Sequence, residues 1–211
     1  MAEQARGKWP LIPTILVGLA VLVMIGLGVW QLERKGEKEA LIALYQRNMA
    51  MEGSVAYPMM PPTPPEFLYR RSSVTCLDVV KFAPRGGSDR SGKAGIRMVA
   101  ECRTGAEGPG ALVDVGTADD FTTPKWPGGP VAGRIVPGPE QPTMMQQLLG
   151  NTVPSRPMLV ADEPISGLRP SAIPNAADTP NNHLAYAIQW FLFALAASII
   201  YFIAVRRRLR V

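Results

Sequence analysis

The chain holds a single histidine, His183, at the point where a polar stretch, DTPNN, meets the charge-free run Leu184–Val205 of 22 residues. A neutral imidazole keeps one ring nitrogen free as a lone-pair donor, so at such a boundary it could ligate a metal or a haem iron. The remaining chemical inventory is thin. Cys76 and Cys102 are 26 residues apart with no C-x-x-C motif. In an oxidising compartment they could bridge neighbouring strands, and two unbridged, half-buried thiols are the alternative. The methionine pairs Met59-Met60 and Met144-Met145 carry thioethers of the kind that bind Cu(I). With ten methionines in the chain, they read instead as flexible apolar surface. Asp119-Asp120 and Asp162-Glu163 read as solvated loop, because adjacent residues on a strand point to opposite faces. No G-x-S-x-G, H-E-x-x-H or phosphate-cradling glycine loop is present. These residues argue against an enzyme working with its own side chains, and they leave His183 as the one candidate ligand.

The elements that must position His183 are set by apolar length and charge. Leu184–Val205, as a helix rising about 1.5 Å per residue, is long enough to cross a hydrocarbon core of roughly 30 Å. The stretch from Pro10 to Trp30 is also free of charge. It is longer than the apolar region of a signal peptide and lacks an A-x-A-like cleavage site, so it reads as an uncleaved anchor. The charges fall unevenly. Arg6 and Lys8 against Glu3 give the first tail +1, Arg206, Arg207, Arg208 and Arg210 give the last +4, and the 16 basic and 16 acidic residues between them cancel. Basic residues flanking short tails stay cytoplasmic, which predicts both termini inside and the loop outside. The basic surplus is therefore a topology signal, with no indication of nucleic acid.

The predicted organisation is a tail (1–9), a first span (10–30), an exoplasmic domain (31–182), a second span (183–205) and a basic tail (206–211). The expected fold is an α+β membrane protein, with two transmembrane helices flanking one β-rich domain built on a small antiparallel sheet or barrel. Gln31–Met51 reads as a helix weakened slightly by Gly36. The run YPMMPPTPPEF (57–67) is a break that neither a helix nor a central strand could cross. Strand character follows in Phe67–Val80, Ile96–Arg103, Ala111–Val115 and Val131–Val136, separated by Gly/Pro clusters at 84–95, 104–110 and 124–129. Thr143–Gly150 suggests one or two helical turns and Pro157–Val160 a last strand. Asn181 or Asn182 is available to cap the second span.

The membrane-flanking motifs resemble those of the Surfeit locus 1 (Surf/Shy) family. Gly28-Val29-Trp30-Gln31-Leu32-Glu33-Arg34 matches its G-x-W-Q-L-x-R, with Lys38 and Leu41-Ile42 following. Asn181, Asn182, His183, Tyr186, Ala187, Trp190 and Phe191 match its N-N-H-x-x-Y-A-x-x-W-F. Tyr69-Arg70-Arg71 is similar to its Y-R-R, and Pro157–Val160 occupies the place of its P-V-Y-L-like strand. Where the family reads V-N-R-G-W-V-P, this chain has Val113-Asp114-Val115-Gly116-Thr117-Ala118, without the Arg and the Trp.

The resemblance implies a non-enzymatic assembly factor, or chaperone, of the respiratory chain. Such a protein would serve haem–copper cytochrome c oxidase, binding haem a at the outer membrane interface and assisting its delivery to subunit I. Haem A synthase and the lipid bilayer are the further partners implied, and the short first tail without a transit peptide or organellar signal predicts a bacterial inner membrane. On this reading His183 is an axial ligand to haem iron. Tyr186 and Trp190, at i+3 and i+7 on the same helical face, form a wall for the macrocycle, and Trp30 and Gln31 of the first span close the other side. The competing reading makes His183, Tyr186 and Trp30 an ordinary interfacial belt on a scaffold that stabilises an oxidase intermediate without touching haem. A two-span sensor would need a cytoplasmic output domain, for which the tails leave no room. Gln189 is expected to hydrogen-bond to the first helix.

Overall fold

A computed structural model describes residues 9–106, 110–139, 156–165, 167–174 and 181–210. The chain divides into two compact units, one of residues 1–40 with 179–211 and one of residues 41–178.

The first unit is a helix pair. Helix α1 runs unbroken from Leu11 to Ala50, so the expected anchor and the expected Gln31–Met51 helix are one element, and Gly36 does not interrupt it. Helix α2 covers His183–Arg210. Both are long and apolar enough to cross a membrane, with mean hydropathies of 2.5 and 2.2 in their most apolar windows. Their large apolar side chains point outward: Leu16, Leu19 and Leu22 on α1 and Leu192, Leu195 and Ile200 on α2 are all exposed. Water would penalise that surface and hydrocarbon does not, which makes this a membrane protein.

The inward positions recur at alternating steps of three and four: Thr14, Val17, Val21, Met24, Gly28 and Gln31 on α1, and His183, Ala187, Trp190, Ala194, Ala197 and Tyr201 on α2. This is the seam spacing of packed helices. Thr14 bonds to Tyr201 at one end and Gln31 to His183 at the other, so the helices run antiparallel.

In the second unit, β1 (Ser54–Ala56), β2 (Arg71–Cys76), β3 (Asp78–Ser88), β4 (Ala94–Arg103), β5 (Ala111–Ala118), β6 (Gly129–Val136) and β7 (Met158–Ala161) form one sheet. Its order is β1-β2-β6-β7-β5-β4-β3. Antiparallel pairing holds for β2–β6, β6–β7, β5–β4 and β4–β3, while β1–β2 and β5–β7 are parallel. The expected strand Phe67–Val80 is in fact two, β2 and β3, turning at Leu77. The Gly/Pro cluster at 84–95 separates β3 from β4 only through its middle, the turn at 89–93, while its flanks extend both strands, from Pro84 opposite Met98 to Ser88 opposite Ala94. β3 lies at the edge of the sheet, where a proline's missing donor costs little. Thr143–Gly150 lies outside the described residues.

The sheet curls around one core. Val74, Met98, Ala100, Val113, Val115, Ile135 and Leu159 pack on its inner face with Leu68 and Tyr69. Each Val, Ile, Leu or Met side chain among these contributes roughly 1.5–3 kcal/mol by burial. On the other face Val99, Leu112, Val136, Met158 and Val160 pack beneath Ile173. Curling brings the end of β2 to the end of β4, although β6, β7 and β5 separate them in the sheet. Leu77 N–H donates to the Arg103 carbonyl at 2.8 Å, and Cys76 and Cys102 form a disulfide with a Cα–Cα distance of 5.1 Å. The bridge thus joins strands that are not neighbours, contrary to expectation.

Candidate functional site at the start of the second helix

Local sequence fixes where α2 begins. Asn182 stands before the first helical residue, and its carbonyl accepts the Tyr186 N–H at 3.2 Å, so Asn182 is the cap position and His183 opens the helix. His183 Nδ1 lies 2.7 Å from Gln31 Oε1 of α1. An amide oxygen can only accept, so this contact suits a proton on Nδ1, and a neutral ring in that tautomer would carry its lone pair on Nε2. That is the arrangement in which a histidine ligates a metal through one nitrogen while the other is held by an outer partner. The side chain of Asn181, beside it, carries a buried Oδ1 without a hydrogen-bond partner among the described residues.

The two motifs that flank the spans meet here. Gly28 is buried, and a Cβ built on it would lie 2.5 Å from the Phe191 ring, so this glycine admits α2 at close range. Ala187, fully buried, sits one turn from His183 on the same seam. Gly28 and Gln31 of one motif therefore face His183, Ala187 and Phe191 of the other.

The remaining candidates take different places. Tyr186 is exposed on the flank next to His183, and Trp190 is half-buried two turns along, its ring edge-on to Phe193 with centroids 6.2 Å apart. His183, Tyr186 and Trp190 do share one side of α2. Trp30 does not join them. It is two residues, about 200°, around α1 from the buried Gly28, and it is exposed on the outer side. Gln31 meets the His183 ring through its amide oxygen. Gln189, two residues from Ala187, is likewise turned outward and exposed, not toward α1, because 200° of helical rotation carries it off the seam.

A second polar constellation lies in the sheet unit. Asp114 on β5 is fully buried, its Oδ2 2.5 Å from both Nε and Nη2 of Arg97 on β4. Its Oδ1 accepts the Ser171 hydroxyl at 2.7 Å and the Gly116 N–H at 3.0 Å, and Ser171 also bonds to Thr117 at 2.9 Å. Burial pushes the Asp114 carboxyl up, against the pull of Arg97. An irregularity between Arg97 and Val99 sets two β5 residues, Val115 and Gly116, opposite Met98, and Gly116 takes φ 137° there. The signal that could have exposed this cluster was Asp114 within an otherwise apolar strand.

Tyr69-Arg70-Arg71 leads into β2. Tyr69 has φ 65° and is buried against Tyr45, with ring centroids 4.7 Å apart. Arg70 donates to the Gly53 carbonyl at 3.0 Å, and Arg71 faces Asp162 at 3.8 Å. Asn48, nearly fully buried, donates to the carbonyls of Pro65, Glu66 and Leu68, which ties the last turn of α1 to the segment before β2. The acidic pair Asp119-Asp120 is exposed, with Asp119 paired to Lys93 and Arg169. Among the described residues no group of three or more His, Cys, Asp or Glu side chains could hold a metal ion.

No curated protein matches the chain. A family model, that of the SURF1 family, matches residues 18–195, from within α1 to within α2, and so includes the sheet and both motifs of the helix seam. The family is linked to cytochrome oxidase assembly, and the chain belongs to the SURF1 family.

Proposed function

We propose that this protein handles haem a during assembly of haem–copper cytochrome c oxidase, holding the iron at His183 and passing the group toward subunit I. Haem A synthase is the natural donor, and the setting is a bacterial inner membrane with both termini in the cytoplasm. The observation that carries this reading is the 2.7 Å bond from His183 Nδ1 to Gln31, which leaves Nε2 as the coordinating atom. Were haem bound, the His183 imidazole would hold its iron. The chain's own part is positional: Gln31 fixes the tautomer, and Tyr186 offers an exposed aromatic flank beside it.

The test is to purify the full chain from cells that make haem a and to record its absorption spectrum. Wild type is expected to carry the pigment and His183→Ala to lack it. Equal haem content in the two, or none in either, would leave the scaffold reading in its place. The membrane orientation is tested with a reporter that matures only outside the cytoplasm. It should be active within the β3–β4 hairpin near Gly87 and silent after Val211; the reverse pattern would overturn the charge argument.

A further inference from the structure

At the end of the helix pair away from His183, α1 and α2 enclose a groove of about 330 Å³, lined among others by Trp9, Thr14, Gly18, Ser198, Tyr201 and Phe202. Four of these carry polar groups, but each is already engaged. Trp9 Nε1 donates to Thr14 Oγ1 at 2.9 Å, Thr14 bonds to the Pro10 carbonyl and to the Tyr201 hydroxyl, and Ser198 donates to the Ala194 carbonyl at 2.7 Å. With its hydroxyls and indole spent internally, the groove offers apolar contact only. The space is real at Gly18, where an added Cβ would meet nothing within 4 Å.

Phe202 forms one wall of this groove and also of a second hollow of about 280 Å³, completed by Ile203, Arg206 and Arg207. Both arginines are exposed, and among the described residues no carboxylate pairs with either. An apolar slot thus adjoins uncompensated positive charge one helical turn beyond Phe202. In a membrane that combination fits one occupant, a lipid with an acyl chain and an anionic headgroup. We propose that an anionic phospholipid docks here, one acyl chain lying in the groove over Gly18 and its phosphate held by Arg206 and Arg207.

The experiment uses the full chain taken from bilayers of equal phosphatidylcholine and phosphatidylglycerol, with retained lipids counted by native mass spectrometry. Wild type is expected to keep phosphatidylglycerol in preference to phosphatidylcholine. Arg206→Gln should cut that preference about five-fold, the factor one basic residue supplies at an anionic surface. Gly18→Leu keeps every charge and, because leucine is the better helix former, keeps the helix; it should fill the slot and reduce retained phosphatidylglycerol. Equal retention of the two lipids by wild type overturns the proposal. So does an effect of Arg206→Gln with none of Gly18→Leu, since the arginines would then act as a diffuse basic surface without a site.

Discussion

Cys76 and Cys102 are joined although three strands, β6, β7 and β5, lie between theirs in the sheet. The bridge therefore holds the sheet's curl and not one ladder. It closes a loop that contains the whole of β3 and most of β4, and a crosslink of that length restricts the unfolded chain by about 3 kcal/mol. Cys76→Ala/Cys102→Ala, or reduction of wild type, should lower the thermal midpoint of the detergent-solubilised protein by several degrees. An unchanged midpoint in the double variant would show that the curl is held without the bridge.

Asp114 and Arg97 form a buried pair in which each is the other's main compensation. Removing one partner strands a charge in the interior, at a cost of about 3–5 kcal/mol. Arg97→Met is expected to be strongly destabilising in urea titration. Arg97→Met combined with Asp114→Leu should recover a large part of the loss. A double variant as unstable as the sum of the singles would show that the two side chains do not act as a pair.

Acid sensitivity follows from Glu101. Its hydrogen bond from Arg156, 2.7 Å away, and then Lys81 at 3.1 Å hold its carboxyl below the ordinary value of 4.5. A depressed folded-state pKa means that the stabilisation is fully present above the unfolded value and is lost as pH falls through the folded one. Glu101→Gln should therefore be less stable than wild type at neutral pH, by about 1 kcal/mol for a partly exposed network. The gap should close progressively below pH 4.5. Thermal unfolding of both proteins across that range measures it, and a gap that persists in acid would assign the effect to packing.

Under the proposed function Gln31 would act through His183, to which it is bonded, so its variants separate orientation from contact. Gln31→Leu removes the acceptor and should weaken haem retention about 10–100-fold, the usual effect of losing a partner that holds a metal-bound histidine. Gln31→Glu keeps an acceptor at the same reach and should retain the pigment. The readout is the position and intensity of the haem absorption bands. Equal losses in the two variants would mean that the hydrogen bond is incidental.

Much of this architecture is legible in the sequence because hydrocarbon tolerates few charges. The two charge-free runs mark both helices, and the seven-residue span from Gly28 to Arg34 marks where one helix meets the other. Turn-forming residues served less well. Pro84, Gly86 and Gly87 resemble a loop by composition, yet they pair in β3 because an edge strand can spare a donor and a side chain. β1, at three residues, is too short to show any alternation. Asp114 stood in the sequence as a departure from a motif, and only the pairing of β4 with β5 reveals that Arg97 meets it. Trp30 lies at the depth of His183 along the helix, but rotation about the axis decides which way a side chain faces, and turns it outward.

The Gln31–His183 bond joins residues 152 positions apart, one where the chain leaves its first span and one where it enters its second. No shorter stretch of the polypeptide can form it. Both helices must therefore be in place, with α2 packed on Gly28, before this contact can hold the imidazole. The orientation of the ring is thus a property of the assembled helix pair and of neither helix alone.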